Sequence, residues 1–292
     1  MLPVFLNPAA GRADDLRKVI GRFGSLVLRT TDADGMTEAA RAAIASGATR
    51  IVAAGGDGTI SAVAAAAAGT ACEVAVIPAG TRNHFAKDHD IPLDAEEACA
   101  LAASGANVAP VDVGYVNGRM FLNTSSVGVY ANFVRVRERL EPKLGYWASS
   151  LLATIRTLVR VRPFSVLFES DGIEHTYTTP LVFIAVGERE LRAPMFGGRV
   201  ARGRAGLHVM VVRGRTRARL VALSLAATTR GTDALAATPQ LDSLFVQACR
   251  IEQRHDTVAV DGEILKLPSP LAYELHAGAL RLVVPEPTTI RP

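Results

Sequence analysis

The chain has 292 residues, 49% of them hydrophobic and 21% charged, which provides for a buried core and rules out general disorder. Its net charge of +4 and pI near 9.2 suit an anionic partner such as a nucleotide, an acidic membrane surface or a nucleic acid. Cys72, Cys99 and Cys249 lie far apart without a CxxC or Cys/His cluster, so neither a disulfide framework nor a structural zinc is expected.

Met1 leads into an apolar run at 3–6 with no positive region or cleavage site before it. The longest apolar stretch, 60–68, is mostly alanine and too short for a bilayer. A cytoplasmic protein is the expectation. Short apolar runs at 3–6, 25–28, 50–54 and 73–77 read as strands. Segments 13–22, 36–46 and 59–68 between them tolerate helical spacing and mostly end at glycine, and a further helix is expected at 93–103. Buried, non-alternating strands separated by helices imply an α/β fold with an open parallel sheet covered on both faces.

From about residue 108 the texture changes. Runs at 111–116 and 120–122 flank Asn117-Gly118, a hairpin signal. Helical stretches are expected near 129–140 and 146–161, then strands at 164–169, 181–186, 207–212, 244–251, 257–260 and 280–284, with a helix at 216–227 among them. This antiparallel β texture places a boundary near 108, giving an α/β domain at 1–108 and a β-rich domain at 109–292. The cleft between two such domains is the default ligand site.

The most informative segment is Ile51-Val52-Ala53-Ala54-Gly55-Gly56-Asp57-Gly58-Thr59-Ile60-Ser61. A buried strand runs into glycines and opens a helix, whose unpaired N–H groups and positive dipole end suit a phosphate. Asp57 among phosphates needs a cation between them, and Mg²⁺ carried with ATP would supply it. A plain tight turn with Asp57 as a local cap is the competing reading. No Walker-type GxxxxGK[ST] motif occurs. Two other strand-end loops, Asn7-Pro8-Ala9-Ala10-Gly11-Arg12 and Pro78-Ala79-Gly80-Thr81-Arg82-Asn83, could converge with it on one nucleotide, where ligands bind in open α/β sheets.

These loops, together with Val111-Asp112-Val113-Gly114, Phe121-Leu122-Asn123 and Asp261-Gly262-Glu263, resemble the diacylglycerol kinase catalytic-domain superfamily, which includes bacterial lipid kinases and sphingosine kinases. The resemblance covers nearly the whole chain. The GGDGT stretch alone is shared with NAD kinases and phosphofructokinases; the ordered set is more specific. It implies an NAD-kinase-like nucleotide-binding domain at 1–108 and a β-rich lipid-substrate domain at 109–292, with the active site between them. It maps ATP contacts onto Asn7, Pro8, Ala9, Ala10, Gly11, Arg12, Thr31, Gly55, Gly56, Asp57, Gly58, Thr59, Ile60, Ser61 and Thr81. Glu263 falls at the general base. Asp112 and Asp261 fall in a substrate or metal network, and Asp57 would organise the Mg²⁺ of ATP.

The chain departs from the family pattern at three places. Ser61-Ala62 stands where relatives often carry Asn-Glu, and His84 where they often carry Asp. Arg204-Ala205-Gly206 stands where some relatives hold a structural Mg²⁺ through Asp-Asp-Gly, so that metal is not implied.

Alternatives attach to the individual residues. Glu263 equally suits an ordinary Asp-Gly hairpin, and Asp112 a strand-end turn. His84 reads as a helix-capping or partly buried structural residue, with a phosphate contact as its alternative, and His208 as structural. The helix at 146–155 and the arginines at 199, 202, 204, 213, 215, 217 and 219 suit docking on an anionic bilayer, or else a core helix and a solvated face. No nucleic-acid motif accompanies them, so nucleic acid is not expected. The expected partner is a lipid substrate at the inner face of a membrane, approached peripherally; a homodimer stays open. An NAD-kinase-like phosphotransferase acting on a soluble substrate, and a nucleotide- or lipid-binding protein without catalysis, are the competing functions.

Overall fold

A computed structural model describes residues 1–8, 12–128, 136–137, 139–145, 148–149, 152–153, 156–157, 163–170, 172–189, 198–200, 203–212, 241–254 and 256–286. The chain divides into two compact units, one of Met1–Val113 with His276–Pro292, the other of Gly114–Leu275. The first break lies five residues beyond the boundary expected near 108, and the C-terminal segment returns to the first unit. Strand order explains both differences.

In the first unit the chain alternates β1 (Leu2–Leu6), α1 (Ala13–Ile20), β2 (Leu26–Thr30), α2 (Met36–Ala45), β3 (Arg50–Gly55), α3 (Asp57–Ala67), β4 (Glu73–Pro78), α4 (His84–Asp88) and α5 (Ala95–Ser104). The four strands form a parallel sheet in the order β2-β1-β3-β4. Burial is nearly complete along β1, β3 and β4, as the unbroken apolar runs required. Alanines on α3 and α5 let those helices lie close to the sheet: Ala64, Ala67, Ala98 and Ala102 are buried. Asp94 caps α5 by accepting from the N–H groups of Glu96 and Glu97. At the other end of α5, Arg50 donates to the carbonyls of Ala102 and Gly105 while pairing with Glu73. A fifth parallel strand comes from the far end of the sequence, since Arg281 and Leu282 of β16 (Leu271–Val283) pair with Glu73 and Val74. The expected 280–284 strand is the tail of this longer element.

The second unit is built of β5 (Val108–Val116, from Gly114), β6 (Arg119–Phe121), β7 (Thr124–Gly128), β8 (Phe164–Ser170), β9 (Ile173–Thr179), β10 (Leu181–Val186), β11 (Leu207–Val212), β12 (Leu241–Val246), β13 (Ala248–Glu252), β14 (Thr257–Val260), β15 (Glu263–Lys266) and the start of β16. One antiparallel sheet runs β12-β11-β10-β7-β14-β15; the other places β13 between β16 and β8, with β9 outermost. Val182, Ile184, Val209 and Val258 of the first sheet share a core with Val166, Phe168, Ile251 and Tyr273 of the second. The run expected as one strand at 244–251 is two strands. β12 pairs with β11, and after Gln247 the chain leaves that sheet so that β13 can pair with β8 and β16.

Asn117 and Gly118 form the expected hairpin turn, both with positive φ (46° and 78°). Gly114 is needed at its position because Phe121 lies across it, 2.3 Å from where a Cβ would stand. The helix expected at 216–227 lies outside the described residues, as do large parts of those at 129–140 and 146–161. Within the latter, Ser149 and Ala153, four residues apart, are fully buried and belong to a core-facing side. No described helix is long and apolar enough to cross a membrane.

Candidate functional site

All four strands of the parallel sheet end at one edge. Leu6 is in register with Thr30 and Ala54, and Gly55 with Pro78. The Thr31 N–H donates to the Leu6 carbonyl at 3.3 Å, and the Ala79 N–H to the Gly55 carbonyl at 2.8 Å. Asn7, Thr31, Gly55 to Ser61 and Thr81 are therefore brought to the same carboxyl-terminal edge. Pro8 and Arg12 flank the first loop; Ala9, Ala10 and Gly11 lie outside the described residues. Ile60 buries its side chain completely in the core, so that only its backbone belongs to the edge.

The loops after β3 and β4 touch through glycine. A Cβ on Gly80 would stand 2.8 Å from the Gly56 Cα and 2.9 Å from the Asn83 Oδ1, and one on Gly55 would meet Thr59 at 2.6 Å. Side chains are excluded where these two backbones meet. Directly beyond, α3 begins at Gly56, which has no side chain to cap it. The first-turn amides of an α-helix have no intrahelical partner, and the N-cap residue here offers no side chain to them.

Asp57 does not cap its own helix. Its carboxylate reaches the following loop, where Oδ2 accepts from the His84 N–H at 3.4 Å and Oδ1 from the Phe85 N–H at 3.3 Å. It thus ties the start of α3 to the start of α4. Burial holds the His84 imidazole below its ordinary pKa, opposed by the Asp57 charge and assisted by Arg82. Asn83, which carried no assignment in the sequence reading, adopts a left-handed conformation (φ 51°) and accepts from the Gly80 N–H at 2.8 Å. Asp112, in β5, accepts from the Gly278 N–H of β16 at 2.8 Å, a contact internal to the first unit.

In the second unit Asp261 and Gly262 form the two-residue turn between β14 and β15, with φ of 46° and 91°. The Asp261 carboxylate accepts three backbone N–H groups, from Leu122 at 2.8 Å, Asn123 at 2.9 Å and Thr124 at 3.0 Å. Its own N–H donates to the Thr124 carbonyl. The turn is thereby clamped to the β6–β7 loop, and Asp261 positions the residue two places on. That residue, Glu263, is exposed and faces Arg119 at 3.4 Å. The sequence carried no hint of Arg119, which stands opposite only because β6 and β15 flank the same clamp.

His208 is structural, as its apolar strand suggested. The Arg189 N–H donates to Nδ1 at 3.2 Å, so the ring proton sits on Nε2 and is shared with Ser243 Oγ at 2.8 Å. That tautomer cannot take a proton from Ser243, which rules out a Ser–His nucleophile here. The ring stacks on Phe245, whose face also carries Arg204 at 5.1 Å.

Residues 1–116 match the model of the diacylglycerol kinase catalytic domain. Over 275 residues the chain is 32% identical to a probable lipid kinase, YegS-like, of Pseudomonas aeruginosa, covering 89% of this chain and 85% of the relative. A diacylglycerol kinase of Bacillus subtilis is 32% identical over 180 residues, 58% of this chain and 59% of its own. The fold is also that of a candidate diacylglycerol kinase from Bacillus anthracis, with a TM-score of 0.75 at 24% identity over 98% of this chain and 97% of that one. A diacylglycerol kinase structure from the same organism gives 0.67 at 20% identity, with coverage of 98% and 97%. The chain therefore belongs to the diacylglycerol kinase catalytic-domain family of lipid kinases.

Proposed function

We propose that the protein transfers the γ-phosphate of ATP to the hydroxyl of diacylglycerol or a related lipid alcohol, with Glu263 as general base. The observation that carries the nucleotide half is the side-chain-free meeting of Gly56 and Gly80 beside the uncapped start of α3, in a chain of lipid kinase ancestry. A Cβ on Gly80 would collide with the Gly56 backbone, so glycine there lets the two loops meet at the start of α3, whose first-turn N–H groups suit a phosphate. The family resemblance supports Glu263. So does its setting, an exposed carboxylate on a turn that Asp261 holds by three hydrogen bonds, because a base must be placed before its basicity matters.

Among the described residues no three His, Cys, Asp or Glu side chains gather as a metal site. A divalent ion at this edge would draw most of its ligands from phosphate oxygens, and Asp57 is the carboxylate there to assist it. Mg²⁺ bound with the nucleotide would neutralise charge on the phosphates. The chain's own part is to hold the phosphates on the α3 amides and to accept the proton of the lipid hydroxyl at the Glu263 carboxylate. Peripheral docking on an anionic membrane, from a cytoplasmic position, is part of the proposal; the net positive charge supports it.

The test is transfer of labelled γ-phosphate from ATP to a total membrane lipid extract, followed by identification of the labelled product. Glu263→Gln is expected to cut turnover by about 10²-fold or more with nucleotide binding retained. Turnover unchanged in that variant removes the base assignment. Production of NADP from ATP and NAD, with no labelled lipid, replaces the lipid reading by a soluble one.

A further inference from the structure

The loop that Asp261 clamps carries a side chain the fold does not use. The backbone of Asn123 is fully engaged: its N–H donates to Asp261 Oδ1 at 2.9 Å, and its carbonyl accepts from the Val186 N–H at 3.0 Å and from Arg189 Nη2 at 3.4 Å. Its side-chain amide makes no hydrogen bond among the described residues, and Oδ1 is buried without a partner. A buried acceptor left unpaired costs stability, and a leucine of similar shape would avoid that cost. An amide held at such a position on a rigid backbone is suited to a ligand instead of to the core.

Register sets that amide on the same face as the proposed base. Ser125, Val260 and Glu263 stand opposite one another across β7, β14 and β15, so their side chains leave one face of the sheet. Thr124 is opposite Ala185, and the Val186 N–H bond to the Asn123 carbonyl carries this pairing one step further toward the loop. Asn123, two residues before Ser125, therefore lies on the Ser125 and Glu263 face. It is two strands and about two residues from Glu263, on the order of 12 Å between backbones. Arg119 faces Glu263 from the other sheet at 3.4 Å. An amide is uncharged and offers both a donor and an acceptor, which matches the hydroxyl and ester oxygens of a neutral lipid head.

We infer that Asn123 binds the polar head of the acceptor lipid, its amide holding an ester or hydroxyl oxygen while Glu263 faces the hydroxyl to be phosphorylated. This rests on the lipid kinase reading above and adds a specificity residue to it. The bound lipid gives the amide the hydrogen bonding that the protein itself does not supply. Removing the amide should therefore weaken the lipid contact without weakening the fold, whereas loss of a merely structural residue would do the reverse.

The experiment measures transfer of labelled γ-phosphate from ATP to dioctanoylglycerol in mixed micelles by wild type and Asn123→Leu, with thermal unfolding in parallel. No labelled lipid from wild type sinks the lipid reading itself, and this inference with it. Given labelled product, Asn123→Leu is expected to lower kcat/KM for the lipid by about tenfold or more through a raised lipid KM, with the KM for ATP unchanged and the melting temperature equal to wild type or higher. Wild-type kcat/KM in the variant overturns the assignment, as does a raised KM for ATP or a fall in kcat alone. If Asn123→Leu melts well below wild type or does not fold, the wild-type protein decides. The Asn123 side-chain amide resonances of a ¹⁵N-labelled sample should shift with dihexanoylglycerol and not with ATP, and their failure to move with dihexanoylglycerol rejects the contact.

Discussion

Acidification should weaken the second unit through one residue, His208. Burial pushes its imidazole down from 6.5 to about 4; the Glu188 charge opposes the shift, and Arg189 and Arg204 add to it. Geometry explains why the proton is unwelcome. Nδ1 is the acceptor for the Arg189 N–H, so protonation would set two donors face to face within a ring that is 3% exposed. The folded pKa lies below the unfolded one, so the unfolded chain takes the proton first as pH falls. The stabilisation is complete above about 6.5 and is lost between about 6.5 and about 4, at about 1.4 kcal/mol per pH unit and about 3 kcal/mol in all. Urea unfolding of wild type and His208→Gln across this range is the assay. Carboxylate titrations are common to both and cancel in the difference. The variant should be less stable at neutral pH, and the gap should close by about 3 kcal/mol toward pH 4. Two stability curves that stay parallel would refute the argument, because the imidazole would then not titrate differently on unfolding.

Asp261→Asn should cost about 2–4 kcal/mol in urea unfolding, because an amide cannot accept all three N–H groups of residues 122–124 and sets its own NH₂ against one of them. It should also lower turnover, whereas Glu263→Gln, an exposed change, should lower turnover and leave stability within about 0.5 kcal/mol. Gly80→Ala forces a Cβ to 2.8 Å from the Gly56 backbone; a loss of about 1–3 kcal/mol and weaker ATP binding by calorimetry are expected, and wild-type affinity would deny the cradle. Arg50→Met removes the nearer of the two arginine partners of Glu73 and two carbonyl contacts at the end of α5, and thermal unfolding should report a loss of about 2–4 kcal/mol, with Glu73→Gln milder.

Much of the first unit, and the tight turns of the second, were legible in the sequence because their signals are local. The buried runs at 50–54 and 73–77 are β3 and β4, the intervening 59–68 is α3 starting two residues earlier, and Asn117-Gly118 and Asp261-Gly262 are turns wherever they occur in a hairpin. Glycine after a parallel strand marks the edge where backbones are approached, and that is a property of residue type and period. The remainder depends on which distant segments meet. Nothing near Asp57 indicated that its carboxylate would cap α4 instead of α3, nor near Asn83 that a left-handed turn would bring its amide beside Gly56. The apolar run at 244–251 concealed a change of sheet at Gln247, and the last strand was readable as a strand but not as the neighbour of β4. Local propensity sets which elements form. Partner, register and the hydrogen bonds that position a functional side chain are chosen by long-range packing, and only the folded chain brings those groups together.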